Sequence, residues 1–178
     1  MSMAWIKTGI FAIASLGFLW GSREALRNPR KHGYYRFFAF ESILALILIN
    51  FEQWFVEPFS GRQLISWALL AASLYLAAAG FYLLKVVGKP EDGIEDTTVL
   101  VKRGVYEHIR HPLYASLIAF GWGVCLKDAS LPALALAAVN NVFLYGAALV
   151  EEGENLSRFG EEYEEYRRRT KMFVPYAF

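Results

Sequence analysis

Apolar residues dominate five stretches of the chain, at 4–20, 37–55, 64–87, 112–126 and 131–150, and the segments between them carry most of the charge. A bilayer core of roughly 30 Å asks for about 20 apolar residues per helix, so four of these stretches predict membrane-spanning helices. The fourth stretch is short and would cross by tilting, or by forming a hairpin with the fifth through "KDASLP". The expected fold is an all-α membrane protein of about five transmembrane helices, with helices 4 and 5 paired. It forms a single integral membrane domain over 1–178, in which 1–87 supplies three N-terminal helices. No basic region and small-residue cleavage site flank the first stretch, which predicts a retained helix and not a cleaved signal.

Charge adds an orientation. The net charge is only +1, which argues against nucleic acid as a partner, but the distribution of basic residues is uneven. Five lie in 21–36, five in 85–111 and five in the tail, whereas only Lys7, Arg62 and Lys127 fall on the other connecting segments. Lysine and arginine are retained on the cytoplasmic side of spanning helices, so the count predicts an outside N-terminus and a cytoplasmic C-terminus. The linker "GKPEDGIEDTT" is rich in turn formers and acids and reads as a water-exposed loop. Cys125 is the only cysteine, which excludes an internal disulfide and a cysteine-rich zinc site, and it reads as a small core hydrophobe.

Candidate chemistry gathers at the cytoplasmic edge, in "GVYEHIRHPLY" at 104–114. Proline fits the first turn of a helix, so the fourth helix should begin at Pro112 with Arg110 and His111 at its entrance. Unpaired backbone donors there, beside two cationic side chains, favour an anionic group. Tyr106 and Tyr114 add hydroxyls and ring faces. A plainer reading pairs Arg110 with lipid phosphate and puts the tyrosines in an interfacial aromatic belt.

At the end of the fifth helix stand Glu151 and Glu152. The spacing 141, 145, 148, 152 puts Asn141, Tyr145, Ala148 and Glu152 on one helical face, a polar stripe fit to line a cavity. Interhelical hydrogen bonding by Asn140 and Asn141 is the plainer account. Beyond them Leu156, Phe159, Tyr163 and Tyr166 predict an amphipathic helix against the membrane surface, with Arg167, Arg168 and Arg169 toward anionic headgroups. The closing "MFVPYAF" is apolar enough to return to the bilayer. Glu41, near the cytoplasmic end of the second stretch, is an ionisable group that either functions or snorkels.

Gly-x-Tyr three residues before Arg-His-Pro-x-Tyr, a helical hairpin, a Glu-Glu pair, then Phe-Gly-x-x-Tyr-x-x-Tyr and a late proline form a combination that resembles the integral-membrane methyltransferases of the isoprenylcysteine carboxyl methyltransferase type. That group is similar to the phospholipid methyltransferases. The likeness runs from Gly104 to Tyr176, within the C-terminal half 88–178 expected to bind cofactor and catalyse, and implies an S-adenosylmethionine site next to a lipid-facing route for an apolar acceptor. It implies that His111 and Arg110 hold the cofactor's carboxylate end and that Tyr106 and Tyr114 shape the pocket. Glu152 would bind ribose or amino group, with Gly104 and Glu151 in the same cofactor-binding set. His111, Tyr114 and Glu152 are the catalytic candidates by type, Asn141, Tyr145 and Arg168 the acceptor-binding ones, and no metal is required.

One departure matters. Members acting on a prenylated cysteine carboxylate commonly have an arginine in the turn before the glutamate pair, where this chain reads "LYGAALV". A carboxylate acceptor would lack its bidentate partner there, which leaves an amine, thiol or alcohol favoured unless Arg167 to Arg169 substitute. Two other readings stand beside a lipid or small hydrophobic methyl acceptor: an NADPH-dependent reductase of the sterol-reductase type, and a non-enzymatic scaffold. Glu151 and Glu152 argue against the reductase, because a phosphate-rich cofactor wants cations.

Overall fold

The computed structural model describes residues 3–176 apart from Asp92 and Glu95, so those two acids of the expected linker lie outside the described residues, as do the last two residues of the tail. Among the described residues there are six α-helices and no strands: α1 (Met3–Ser22), α2 (His32–Asn50), α3 (Gly61–Val86), α4 (Pro112–Cys125), α5 (Leu131–Phe159) and α6 (Glu161–Arg169). Four of them, α1, α2, α3 and α5, are long and apolar enough to cross a membrane, whereas α4 is a shorter apolar helix. Its 14 residues rise about 21 Å, less than a bilayer core.

Packing runs in pairs. α2 lies along α5, α3 lies along α4, and the α4–α5 hairpin joins the pairs, while α1 leans on α2 and buries no residue of its own. Small residues make the close crossings possible. A Cβ added at Gly123 would meet the Leu70 side chain of α3 at 2.9 Å, and one added at Gly121 would meet Asn140 Nδ2 of α5 at 2.6 Å. Without a hydrophobic force between helices in lipid, such close packing and a few interhelical hydrogen bonds carry the association. Ser66 Oγ donates to the Gly123 carbonyl at 2.6 Å, and Asn140 Nδ2 donates to the Leu117 carbonyl at 3.3 Å.

Helix ends follow local chemistry. Ser60 caps α3 by accepting from Gln63 N, and proline stands in the first turn of α4 and of α5. Three boundaries differ from the hydropathy reading. α2 begins at His32, so Glu41 sits in the middle of the helix, where it accepts a 2.6 Å hydrogen bond from Ser15 of α1. α5 continues nine residues beyond 150, and the expected amphipathic helix is broken after Phe159. The break is at Gly160, whose φ of +55° and ψ of −129° lie where a helix cannot continue and where glycine is favoured. Tyr163 and Tyr166 of α6 then pack inward against the protein.

At the end of the bundle remote from α6, Lys127 is fully buried. Its Nζ donates to Gln63 Oε1 at 3.0 Å and lies 3.3 Å from the centre of the Trp67 ring, while Arg62 donates to the carbonyls of Leu126 and Lys127. The sequence marks Lys127 only as a loop cation. Its burial ties the start of α3 to the α4–α5 turn.

Candidate active site

Gly104 opens a short 3-10 turn, Gly104–Glu107, at φ +59°, and a Cβ there would also press on Leu83 at 3.0 Å. Only glycine takes that conformation without strain. The turn presents Tyr106, whose carbonyl accepts a 2.6 Å hydrogen bond from the buried Tyr166 hydroxyl of α6. Downstream, the chain pairs with the C-terminal tail. Lys171 N donates to His108 O at 3.1 Å, Arg110 N to Lys171 O at 2.9 Å, and His111 N to Met172 O at 3.1 Å. This short parallel pairing fixes the backbone leading into α4. Met172 and Phe173, from the closing apolar run, are buried in the core beside Tyr114 and Leu144.

His111 is the N-cap residue of α4 and is only 3% exposed. Its Nδ1 lies 3.6 Å from Glu151 Oε1 and its Nε2 lies 3.4 Å from Glu152 Oε1. Consecutive residues of an α-helix point about 100° apart, which is how two adjacent glutamates reach opposite sides of one ring. The ring stacks on Tyr114 with centroids 5.6 Å apart and meets Phe173 at 6.1 Å. Burial opposes protonation of His111, but the two flanking carboxylates outweigh it and raise its pKa above the ordinary histidine value. Glu152 also accepts from Arg110 Nε, and Arg167 approaches it to 3.9 Å. Arg110 completes its bonding by donating to the Thr170 carbonyl at 2.8 Å.

Two concavities flank this cluster and a third adjoins the second of them at Tyr145. A narrow cleft of about 50 Å³ is lined by Thr97, Tyr106, His111, Tyr114, Glu151 and Asn155. A basic pocket of about 360 Å³ is lined by Arg110, Tyr145, Arg167, Arg168 and Lys171 among others. An apolar groove of about 530 Å³ runs along Ile118, Asn141, Val142, Tyr145, Phe173 and Val174. Tyr145 borders both the basic pocket and the groove.

The residues singled out from sequence therefore sort into two sides of one site. His111, Tyr106, Tyr114 and Glu151 face the cleft, whereas Arg110, Arg168 and Tyr145 face the basic pocket, with Glu152 paired to Arg110 between them. Arg110 is thus separated from His111's cleft. Gly104 shapes the turn and does not line the cleft wall. The polar stripe is interrupted, because Ala148 is fully buried in the core between Tyr145 and Glu152. Asn140 and Asn141 part company: the first bonds to α4 and the second borders the groove. The missing arginine before the glutamate pair has a spatial counterpart, since the tail brings Arg167 and Arg168 to the pocket that Tyr145 borders. Sequence reasoning missed Thr97, Asn155, Thr170 and Phe173. Only the apolar run at 172–174 carried a signal, and it pointed to lipid. Among the described residues no group of three or more His, Cys, Asp or Glu is arranged to hold a metal ion.

The fold is thus an all-helical bundle of apolar helices in which His111, flanked by Glu151 and Glu152, lies between a cleft and a basic pocket that shares Tyr145 with an apolar groove. The family model for phospholipid methyltransferases matches residues 62–162, more than half of the chain, and the chain belongs to that family. The chain is 31% identical over 72 residues to methanethiol S-methyltransferase 1 of Bradyrhizobium diazoefficiens, covering 40% of this chain and 25% of that protein. It is 28% identical over 136 residues to the cobalt-zinc-cadmium resistance protein CzcN of Cupriavidus metallidurans, covering 75% of this chain and 58% of that protein. It is 26% identical over 133 residues to the nickel-cobalt-cadmium resistance protein NccN of Alcaligenes xylosoxydans xylosoxydans, covering 75% and 59%. The alignments thus span a quarter to somewhat over half of these relatives. No solved structure is a significant match.

Proposed function

We propose that this protein transfers a methyl group from S-adenosylmethionine to a lipid or small hydrophobic acceptor that enters from the bilayer. The observation that carries the reading is the placement of His111, with Glu151 on the cleft side and Glu152 bound to Arg110 on the side of the basic pocket and apolar groove. Donor and acceptor each have an approach to the same buried centre.

The cleft residues fit such a donor by chemistry. The Glu151 carboxylate and the faces of Tyr106 and Tyr114 suit its cationic groups, and Leu84, Leu100, Val101 and Phe159 suit a flat base. Backbone donors in the first turn of α4 suit its carboxylate. When bound, S-adenosylmethionine supplies an electrophilic methyl on a positively charged sulfur. The chain's own contribution is alignment and exclusion of water, which the Tyr114–His111–Phe173 stack is built to give. The cleft is narrow, so admission of a nucleoside requires outward movement of its loop wall at 97–101. Arg158 anchors that wall through Asp96 at 2.7 Å and the Thr97 carbonyl at 3.3 Å.

On the acceptor side, the groove takes an apolar chain, and Asn141, Tyr145 and Arg168 meet the polar end. A protonated amine, a thiol or a hydroxyl must lose a proton on methylation, and the Glu151–His111–Glu152 array is the adjacent titratable group. The name of the Bradyrhizobium relative supports a thiol and the family description supports a phospholipid as acceptor classes. The 15-to-3 distribution of basic residues supports placing the site on the cytoplasmic face, with five spans counting α4. The carboxylates toward the cleft disfavour NADPH, with its three phosphates.

The test is labelled methyl transfer by the protein in lipid nanodiscs, into endogenous lipid and into added alkanethiols, combined with calorimetric titration. Donor binding, with slowed hydrogen exchange at 97–101, is expected. Binding of NADPH without binding of S-adenosylmethionine would overturn the assignment.

A further inference from the structure

The segment 97–103 is a partition with a different cavity on each side. Thr97 and Val101 are buried on the cleft side, while Val99 is exposed toward a second, open groove of about 560 Å³, and Leu100 borders both. Val86, Val87 and Val99 give this second groove an apolar floor, and Lys89, Lys102 and Arg103 give it a basic rim. Glu162 offsets one of these charges through a 2.7 Å pair with Lys102. Among the described residues Lys89 and Arg103 form no ion pair. The three arginines at 167–169 differ, since each is paired with a glutamate of α5 or α6.

The depth of the groove follows from α3. Its 26 residues rise about 39 Å, more than the hydrocarbon core, so its last turn, with Val86, stands at headgroup level. An apolar floor under a basic rim at that depth matches an acyl chain below a phosphate.

We propose that this groove holds the headgroup of an anionic bilayer phospholipid, with the phosphate between Lys89 and Arg103 and the upper acyl chain against Val86 and Val99. The bound lipid braces the partition from outside and thereby opposes the outward movement of the wall, lined by Thr97 and Val101, that admits a donor. This second half rests on the donor reading given above, and the first half does not. A free phosphate would leave the valine floor facing water, which is why the occupant is a lipid.

The experiment uses the full chain in nanodiscs of phosphatidylcholine, with or without a minor share of phosphatidylglycerol. Lipid retained through native mass spectrometry is compared for the wild type, the Lys89→Gln/Arg103→Gln variant and Val99→Asp, which puts a carboxylate into the groove but keeps both cations. Melting in the same discs identifies the variants that fold. The wild type is expected to retain phosphatidylglycerol over phosphatidylcholine, and each folded variant to lose that preference by roughly fivefold per charge altered. An unchanged preference in a folded variant overturns the lipid site. Calorimetry with S-adenosylmethionine should give a higher Kd in discs with phosphatidylglycerol for the wild type only, and an equal loss of affinity in the variants, or none in the wild type, overturns the bracing role. If no disc supports donor binding while the lipid preference remains variant-sensitive, the donor reading fails and the lipid site stands.

Discussion

Replacing Glu152 with glutamine is the most informative single perturbation of the cluster. The Glu152 and Arg110 side chains are only 8% and 12% exposed, so neither charge is well screened by water. Glutamine keeps the shape and one acceptor for Arg110 Nε but removes the negative charge shared by Arg110, His111 and the more distant Arg167. Breaking a buried pair by removing one partner costs about 3–5 kcal/mol, and the retained amide places Glu152→Gln near the lower end, at about 3 kcal/mol. For a chain of this length that corresponds to a melting temperature lower by roughly 6–12 °C. Arg110→Leu should cost a comparable amount, because it leaves Glu152 with His111 as its remaining close partner.

The double replacement, Arg110→Leu with Glu152→Leu, should recover most of the lost stability, since an apolar pair of similar volume is often neutral against a buried ion pair. It should not recover methyl transfer. Denaturation in mixed micelles gives the stabilities, and labelled transfer gives the activity. Single costs of Arg110→Leu and Glu152→Leu below about 1 kcal/mol that add to within about 0.5 kcal/mol in the double replacement would show that the two residues do not form one buried unit, and the electrostatic account would be wrong. Recovery of activity with stability would show that the pair is only a fastener.

Three further outcomes follow from particular contacts. His111 has a folded-state pKa raised above its unfolded value by Glu151 and Glu152, so its contribution is fully present below about pH 6.5 and is lost as pH rises through the raised value. The melting temperature should fall over that window, and His111→Gln should flatten this part of the profile. Lys127→Ala leaves Gln63 Oε1 without its cation and removes the contact with Trp67, and should cost about 2–4 kcal/mol in chemical denaturation while methyl transfer per folded molecule is unchanged. Gly123→Ala must displace Leu70 of α3 from 2.9 Å, and about 1–3 kcal/mol of overpacking should appear as earlier melting.

The sequence alone determined that this is a helical membrane protein, where α4 begins, and that the polar residues of 104–114 and 151–152 are the candidates for its site. These are local properties. Hydropathy over about 20 residues, a proline that fits only a first turn and a glycine at positive φ each act through neighbours in the chain. Tertiary structure alone decided that the two glutamates straddle one imidazole, that Arg110 turns toward Glu152 and away from the cleft, and that Phe173 packs against His111 in the core. Each of those contacts joins residues some 40 to 60 positions apart, as between Arg110 and Glu152 or Tyr106 and Tyr166. Their geometry is set by how α4, α5 and the tail pack, and no local pattern specifies which way a side chain at a helix end will face. Lys127 shows the same limit, because its charge predicts water and only the meeting of α3 with the α4–α5 turn gives it partners good enough to be buried.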